Sequence, residues 1–182
     1  DLHRRRHSFP TRRSSDLDVH EMTWAEISKA NPQPILFKEF LEIAMGAGKD
    51  VLIETKHPVS AGARIEKAVL QILRDKNSEI QSSRIKVTVM SFSYVAVWRL
   101  RRSYPNVAKV IKHSIPAFLT RAPNIAINIE VLRRFPILLK IKKNSEIYTW
   151  TVNSDEDMLW IQDKRISGVI TDNVGKAKTL KP

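Results

Sequence analysis

Short apolar runs alternate with helix-like segments along most of this 182-residue chain, and this alternation restricts the possible fold more than any other feature. Helix-like segments separate the apolar runs at intervals of roughly 20 to 40 residues, which is the pattern of βα units around a parallel sheet. The chain is therefore predicted to be an α/β protein. Strands are predicted over residues 51–55, 85–90, 147–152 and 168–171, with two further candidates over residues 107–111 and 125–129.

Capping residues and breakers mark the predicted helices. Thr23 and Glu26 form a capping box at the start of the first helix, and Ser154 with Asp157 resembles the cap of the last one. Residues 115–119 fit either a helix or a strand. Helices are predicted over residues 23–30, 36–47, 63–75, 94–102, 130–141 with an interruption at Pro136, and 154–164.

The first strand ends in a charged pair. Residues 51–57 read Val-Leu-Ile-Glu-Thr-Lys-His. Side chains alternate along a strand, so Glu54 and Lys56 are predicted to face one side and His57 the other. An anion beside a cation at a strand end suits a metal ion next to a phosphate. The same pair also fits an ordinary surface ion pair, which contributes little.

Four motifs occur in a fixed order along the chain, namely Ile53–Pro58, Val87–Phe92, Tyr148–Asn153 and Gly168–Asp172. Together they resemble the C-terminal half of a glycerophosphodiester phosphodiesterase, and Trp150–Asn153 followed by Gly168–Asp172 is the most specific part. The resemblance spans residues 20 to 175. It implies an α/β fold that is the C-terminal part of a TIM (β/α)8 barrel, of the phosphatidylinositol-phospholipase-C-like phosphodiesterase type, with the N-terminal strands missing.

The resemblance also implies a reaction and its binding residues. Members of the family hydrolyse a glycerophosphodiester to an alcohol and glycerol 3-phosphate, with a divalent metal, calcium or magnesium. Glu54 would be a metal ligand, and Lys56 would lie beside the phosphate. Trp150 would form a wall against the glycerol moiety, although the alternating Tyr148, Trp150 and Val152 also fit a core face.

Other residues near these motifs are weaker candidates. Phe92 is expected to line the same pocket as Trp150. Ser91 and Asn153 are candidates for hydrogen bonds near it. Asp172 fits a turn or helix cap as well as it fits a substrate contact.

The N-terminal motifs of the family do not occur in this sequence. No His-Arg-Gly, Glu-x-Asp or His-Asp motif is present. Residues 1–17 instead resemble translated sequencing-adapter readthrough, so we predict a non-native segment over 1–17 and a partial phosphodiesterase domain over 18–182. A real basic tail is the alternative.

The histidines of the chain do not replace the catalytic pair of the family. His57 does not match either family position, and His20 and His113 have no supporting neighbours. His3 and His7 fall in the segment predicted to be non-native. Without a general acid–base pair, the chain as written is expected to be inactive.

A half barrel would expose two strand edges and its inner layer of side chains. Such edges pair readily with other chains. Poor stability or self-association is therefore expected.

Charge and composition limit the remaining possibilities. The net charge is +12, of which the first 17 residues contribute +3. The basic runs Arg99–Arg102 and Lys140–Lys143 are interpreted as solvated helix faces, so no nucleic-acid partner is expected. The chain has no cysteine. It has neither a signal-like apolar segment nor an apolar run of about 18 residues, which favours a cytoplasmic location.

Three hypotheses follow from the sequence. The first is a metal-dependent phosphodiesterase that acts on a small-molecule glycerophosphodiester and has lost its N-terminal part. The second is a non-catalytic half-barrel module that binds phosphorylated glycerol head groups or a partner fragment. The third, which rests on charge alone, is a basic nucleic-acid-binding domain.

Overall fold

The computed structural model describes residues 22–30, 33–56 and 62–179 and contains one six-stranded sheet. It divides into a unit that ends at Phe40 and a second unit, from Leu41 onward, that holds the whole sheet. The strands are β1 Val51–Glu54, β2 Val87–Ser91, β3 Val107–Ile111, β4 Asn124–Asn128, β5 Ile147–Trp150 and β6 Gly168–Val169. All six predicted strands are confirmed, including the two uncertain ones.

In the described part of the chain, two helices precede β1, and one or two helices follow each strand. They are α1 Trp24–Ala30, α2 Phe37–Gly46, α3 Arg64–Asp75, α4 Asn77–Ser83, α5 Tyr94–Arg101, α6 Ser114–Leu119, α7 Ile129–Arg134, α8 Ile137–Ile141, α9 Asp155–Ile161 and α10 Val174–Thr179. Within the described ranges, no helix is both long and apolar enough to cross a bilayer.

The predicted caps are present. The backbone N–H of Glu26 donates to the Thr23 hydroxyl at 3.3 Å, and the Thr23 N–H donates to the Glu26 carboxylate at 2.7 Å. The Ser154 hydroxyl accepts from the N–H of Asp157 at 3.1 Å and so caps α9. Pro136 separates α7 from α8, as its missing N–H requires.

Two helices were not predicted and one ambiguous segment is resolved. Helix α4 reads Asn-Ser-Glu-Ile-Gln-Ser-Ser, and α10 carries Gly175 in its first turn, so neither has an apolar stripe. Residues 115–119 lie in α6. Pro116 is tolerated there because it sits in the first turn, where its missing N–H has no helical partner to lose.

The strands pair in sequential order, and every pair is parallel. Glu54 lies opposite Met90, and Asn128 lies opposite Trp150. Because the strands are parallel, their carboxyl ends meet at one edge of the sheet. Among the described residues, β1 pairs only with β2 and β6 pairs only with β5, so each has a free outer edge.

The sheet curls into a half barrel. The hydroxyls of Thr88 in β2 and Tyr148 in β5 lie 3.5 Å apart, although these strands are three positions apart in the sheet. In a flat sheet they would be separated by about 14 Å. Curvature is also visible in a cavity of about 830 Å³, which Leu52 of β1 and Gly168 of β6 both line.

Two apolar layers hold the half barrel together. The concave face packs Met90, Ala108, Val110 and Ala126 against half-buried side chains that include Leu52, Tyr148, Trp150 and Ile170. The convex face packs Ile111, Ile125, Ile127 and Ile147 against the helix residues Ala117, Leu132 and Leu138. The concave layer positions the strand ends at which the candidate site lies.

Replacing Gly168 with Ala is expected to lower the free energy of unfolding by about 1–3 kcal/mol. A Cβ atom there would lie 2.8 Å from Cδ1 of Tyr148, whose ring is held by its hydrogen bond to Glu146. Urea denaturation measures the change. Gly175→Ala is the control, because a Cβ at Gly175 meets no atom within 4 Å. Equal stability of the Gly168→Ala chain would contradict the tight packing.

Candidate active site at the carboxyl ends of the strands

An acidic and a basic side chain stand at the end of β1. Glu54 is the last residue of this strand and is half-buried, and Lys56 follows it and is exposed. Glu54 shares its side of the strand with Leu52, which packs on the concave face. In the described part of the chain, no ion pair joins Glu54 to Lys56, and neither side chain makes a hydrogen bond to another described residue. A mutual surface ion pair is therefore not formed, and both groups are free to meet a ligand.

An aromatic pair links the ends of β2 and β5. The rings of Phe92 and Trp150 pack edge to face, with centroids 5.5 Å apart at an angle of 84°. The indole N–H of Trp150 donates to the carbonyl of Ala126 at 2.9 Å, which fixes the ring against β4. Phe92 is 41% exposed, so the pair presents an apolar face at the carboxyl end of the half barrel. The structure thus brings two of the predicted substrate residues into contact.

The predicted core face of Tyr148, Trp150 and Val152 is divided between two apolar clusters. Tyr148 and Trp150 pack together on the concave face. Val152 instead packs with Ile129 and Met158 in a separate cluster. The reason is that β5 ends at Trp150, so strand alternation no longer governs residue 152.

Ser91 and Asn153 hold strand ends in place. The Ser91 hydroxyl donates to the carbonyl of Thr55 at 2.7 Å and so ties the end of β2 to that of β1. The Asn153 side chain accepts from the N–H of Asp172 at 2.9 Å and donates to the Asp172 carboxylate at 2.8 Å. It also accepts from the Thr171 hydroxyl at 3.1 Å. These contacts fix the rim around the aromatic pair.

Lys109 supports the site and was not predicted. It is 3% exposed, and its ammonium donates to the carbonyl of Phe92 at 2.9 Å and to that of Val110 at 2.6 Å. It also lies 4.3 Å from the centroid of the Tyr94 ring. Burial lowers the pKa of Lys109. One lysine in an apolar strand usually indicates a solvent-facing position, so the sequence pattern could not identify it.

The described residues do not form a metal site by themselves. Among residues 22–30, 33–56 and 62–179, no three His, Cys, Asp or Glu side chains are arranged so that they could hold a metal ion. Calcium or magnesium takes about six oxygen ligands or more, and Glu54 offers one carboxylate. The residues present therefore do not fit a divalent ion unaided.

The candidate histidines lie mostly outside the described part of the chain. The structure does not describe His3, His7, His20 or His57, and the segment 1–17 also lies outside the described residues. His113 is described, and it is an exposed residue that precedes α6. Its side chain forms no cap hydrogen bond with that helix.

Comparison of the sequence with known proteins gives one family. The model of the glycerophosphoryl diester phosphodiesterase family matches residues 6–176. A Mycobacterium tuberculosis H37Rv protein named "Probable glycerophosphodiester phosphodiesterase 1" is 29% identical over 139 residues, which are 70% of this chain and 51% of that protein. The chain thus spans about half the length of the curated relatives it matches.

Solved structures agree in fold. A Silicibacter pomeroyi protein that carries a provisional glycerophosphoryl diester phosphodiesterase name has a TM-score of 0.66 and 18% identity, and the match covers 92% of this chain and 70% of that one. An Oleispira antarctica phosphodiesterase, solved with its product sn-glycerol 3-phosphate, has a TM-score of 0.53 and 13% identity, with 79% and 60% covered. At these identities the likeness concerns the fold.

Replacing Lys109 with Met is expected to remove part of the pH dependence of stability. The pKa of Lys109 is lowered by burial, so at alkaline pH the unfolded chain retains this proton longer than the folded one. The contribution of Lys109 to the free energy of unfolding should therefore rise with pH, between the lowered folded pKa and the ordinary value for lysine. Urea denaturation at a series of alkaline pH values measures this slope.

The control for the lost charge is Lys112→Met, since Lys112 is exposed just beyond the same strand. The slope should fall in the Lys109→Met chain and persist in the Lys112→Met chain. Identical slopes in all three proteins would contradict a buried, charged Lys109.

Proposed function

Since the chain belongs to the glycerophosphoryl diester phosphodiesterase family, we propose that it is the C-terminal part of a phosphodiesterase domain that hydrolyses glycerophosphodiesters to an alcohol and glycerol 3-phosphate. The proposal is supported most by one observation. An aromatic pair, Phe92 and Trp150, stands at the same edge of the sheet as the uncommitted Glu54 and Lys56. TIM-barrel enzymes bind their substrates at this edge.

Each of these residues has a proposed role in binding. The Lys56 ammonium would lie beside the phosphate and offset its negative charge. The faces of Trp150 and Phe92 would pack against the carbon atoms of the glycerol moiety. Lys109 would keep Phe92 in place through the hydrogen bond that its ammonium donates to the Phe92 carbonyl. Ser91 and Asn153 would hold the strand ends around the aromatic pair in place. Either side chain would also be able to hydrogen-bond to the substrate.

Hydrolysis needs groups that these residues do not provide. The bond between phosphorus and the head-group oxygen breaks, that oxygen takes a proton, and a water oxygen bonds to phosphorus as it loses one. A general base and a general acid are therefore required. In the proposal they belong to N-terminal strands of the domain, together with the further carboxylates that would join Glu54 around calcium or magnesium. The 182-residue chain as written would then bind its ligand without turnover.

The fold supports the same division of the domain. A closed TIM barrel has eight parallel strands, and the described residues contain six. We propose that two more strands, N-terminal to β1, would fill the gap between the free edges of β1 and β6 and complete a barrel of the phosphatidylinositol-phospholipase-C-like type. Residues 1–17 would then be non-native, and residues 18–182 would be the part of the domain that this chain contains. Without those strands, the free edges favour self-association.

A second function is a non-catalytic module that binds phosphorylated glycerol head groups. It is favoured by the absence of a three-ligand acidic or histidine cluster from the described residues. Both functions use the same binding edge, and they differ in whether catalytic strands precede it.

Replacing Lys56 with Gln is expected to weaken binding of sn-glycerol 3-phosphate about tenfold, because a charged hydrogen bond to phosphate is lost. Isothermal titration calorimetry measures the affinity. The matched control is Lys49→Gln, since Lys49 is also exposed but precedes β1 at the opposite end of the strand. Equal affinities for both variants, or no binding by the native chain, would count against the proposed edge.

Sequencing the source gene upstream of codon 18 separates the two functions. We expect an open frame that encodes His-Arg-Gly, Glu-x-Asp and His-Asp motifs. The extended protein should then release glycerol 3-phosphate from glycerophosphocholine in the presence of calcium or magnesium. Residues 1–17 unchanged in the gene, with no turnover, would leave the binding module as the function.

A further inference from the structure

The positive charge of the protein is concentrated in the middle of the half barrel. Residues 94–143 contain eleven Lys or Arg residues and one acidic residue, Glu130, a net charge of +10 out of the +12 of the chain. The segments 18–93 and 144–182 are nearly neutral, with net charges of 0 and −1. Residues 94–143 form α5, β3, α6, β4, α7 and α8, which are successive neighbours in the fold. The excess charge therefore lies on consecutive elements in the middle of the half barrel.

Part of this charge is already neutralised. Arg99 pairs with Glu66 at 3.4 Å, and Arg133 pairs with Asp157 and Glu156 on α9. The remaining basic residues near the helix ends have no carboxylate within ion-pair distance in the described part of the chain. They include Arg101, Arg102, Arg121, Lys140, Lys142 and Lys143.

The helices of this region carry a second apolar face. Their buried residues, such as Leu100, Ala117 and Leu138, pack toward the sheet. Large apolar residues also stand exposed and are spaced four apart, so they line the outer face of each helix. They are Tyr94 and Trp98 on α5, Ile115 and Leu119 on α6, and Ile137 and Ile141 on α8, with exposures of 48–73%.

Contacts join the carboxyl ends of the three helices. The Arg101 guanidinium donates to the carbonyl of Arg121, which follows α6, at 3.4 Å. The Lys142 ammonium, at the end of α8, donates to the carbonyl of Thr120 at 2.6 Å. The exposed apolar residues and the basic groups that have no carboxylate partner in the described part of the chain therefore belong to one surface. We call it the α5–α6–α8 surface.

Completion of the barrel would not cover this surface. The free edges belong to β1 and β6, whereas α5, α6 and α8 follow β2, β3 and β4. Added strands would pair at the two outer edges and leave the outer faces of these helices as they are. The apolar exposure thus needs a different explanation.

We propose that the α5–α6–α8 surface binds an anionic lipid membrane. Side chains such as Trp98, Leu119 and Ile141 would enter the headgroup region, and the surrounding Lys and Arg residues would attract acidic headgroups. Helices that lie on a membrane combine apolar side chains with a basic border in this way.

Nucleic acid explains the surface less well. Phosphate contacts would use the basic residues but not the exposed Ile and Leu side chains. Base stacking needs a free aromatic face. The Arg102 guanidinium lies 4.4 Å from the centroid of the Trp98 ring, and Lys109 lies against the ring of Tyr94. One face of the Trp98 ring and one face of the Tyr94 ring are therefore already in contact with a cation.

Vesicle flotation tests the proposal, because lipid-bound protein floats and aggregated protein sinks. The probes are vesicles of phosphatidylcholine alone and of phosphatidylcholine with phosphatidylglycerol. We expect the 182-residue chain to float only with the anionic vesicles and to be released by salt. The triple variant Trp98→Ser, Leu119→Ser, Ile141→Ser should bind about a hundredfold more weakly. The triple variant Arg102→Gln, Lys140→Gln, Lys143→Gln should lose a similar factor.

The matched control replaces exposed apolar residues elsewhere, with Ile43→Ser and Leu159→Ser. It should bind like the native chain, and far-UV circular dichroism should show that every variant is folded. Three results would overturn the proposal: no flotation of the native chain, equal flotation of the apolar triple variant, or duplex DNA binding at a salt concentration that abolishes vesicle binding. Lipid flotation needs no hydrolysis, so the proposal stands or falls separately from the phosphodiesterase function.

Discussion

The curvature of the parallel sheet determines where every candidate site residue lies. Tyr148 crosses the concave face to reach Thr88, and Gly168 leaves room for its ring. A flatter sheet would separate the ends of β2 and β5 and pull Phe92 away from Trp150. The side chains that pack on the concave face therefore also bring together the strand ends at which the candidate site lies.

Much of the fold could be predicted from sequence because local patterns specify it. Alternating apolar runs identified all six strands, and the caps at Thr23 and Ser154 marked helix starts that the structure contains. Strand lengths were less predictable, since β5 ends at Trp150 and Val152 packs in a different cluster. Helices α4 and α10 were not predicted because they contain few apolar residues and so show no helical periodicity.

The candidate site was predictable only in part. Motif resemblance identified Glu54, Lys56, Phe92 and Trp150, and the structure brings Phe92 and Trp150 into contact. The supporting contacts of Lys109 and Asn153 depend on backbone carbonyls and on residues distant in sequence. No pattern in one strand encodes such partners. Tertiary structure therefore decides which polar residues position the site and which remain available to a ligand.

The uneven distribution of charge gives the molecule a permanent electric moment. Residues 94–143, in successive units at the centre of the half barrel, carry a net charge of +10, whereas the adjoining segments 18–93 and 144–182 carry 0 and −1. In the field of any highly charged anionic body such a molecule experiences a torque as well as an attraction. It would turn its basic side forward before contact, and encounters would begin from a small set of orientations. At high ionic strength this alignment would fade within a few ångströms of the surface.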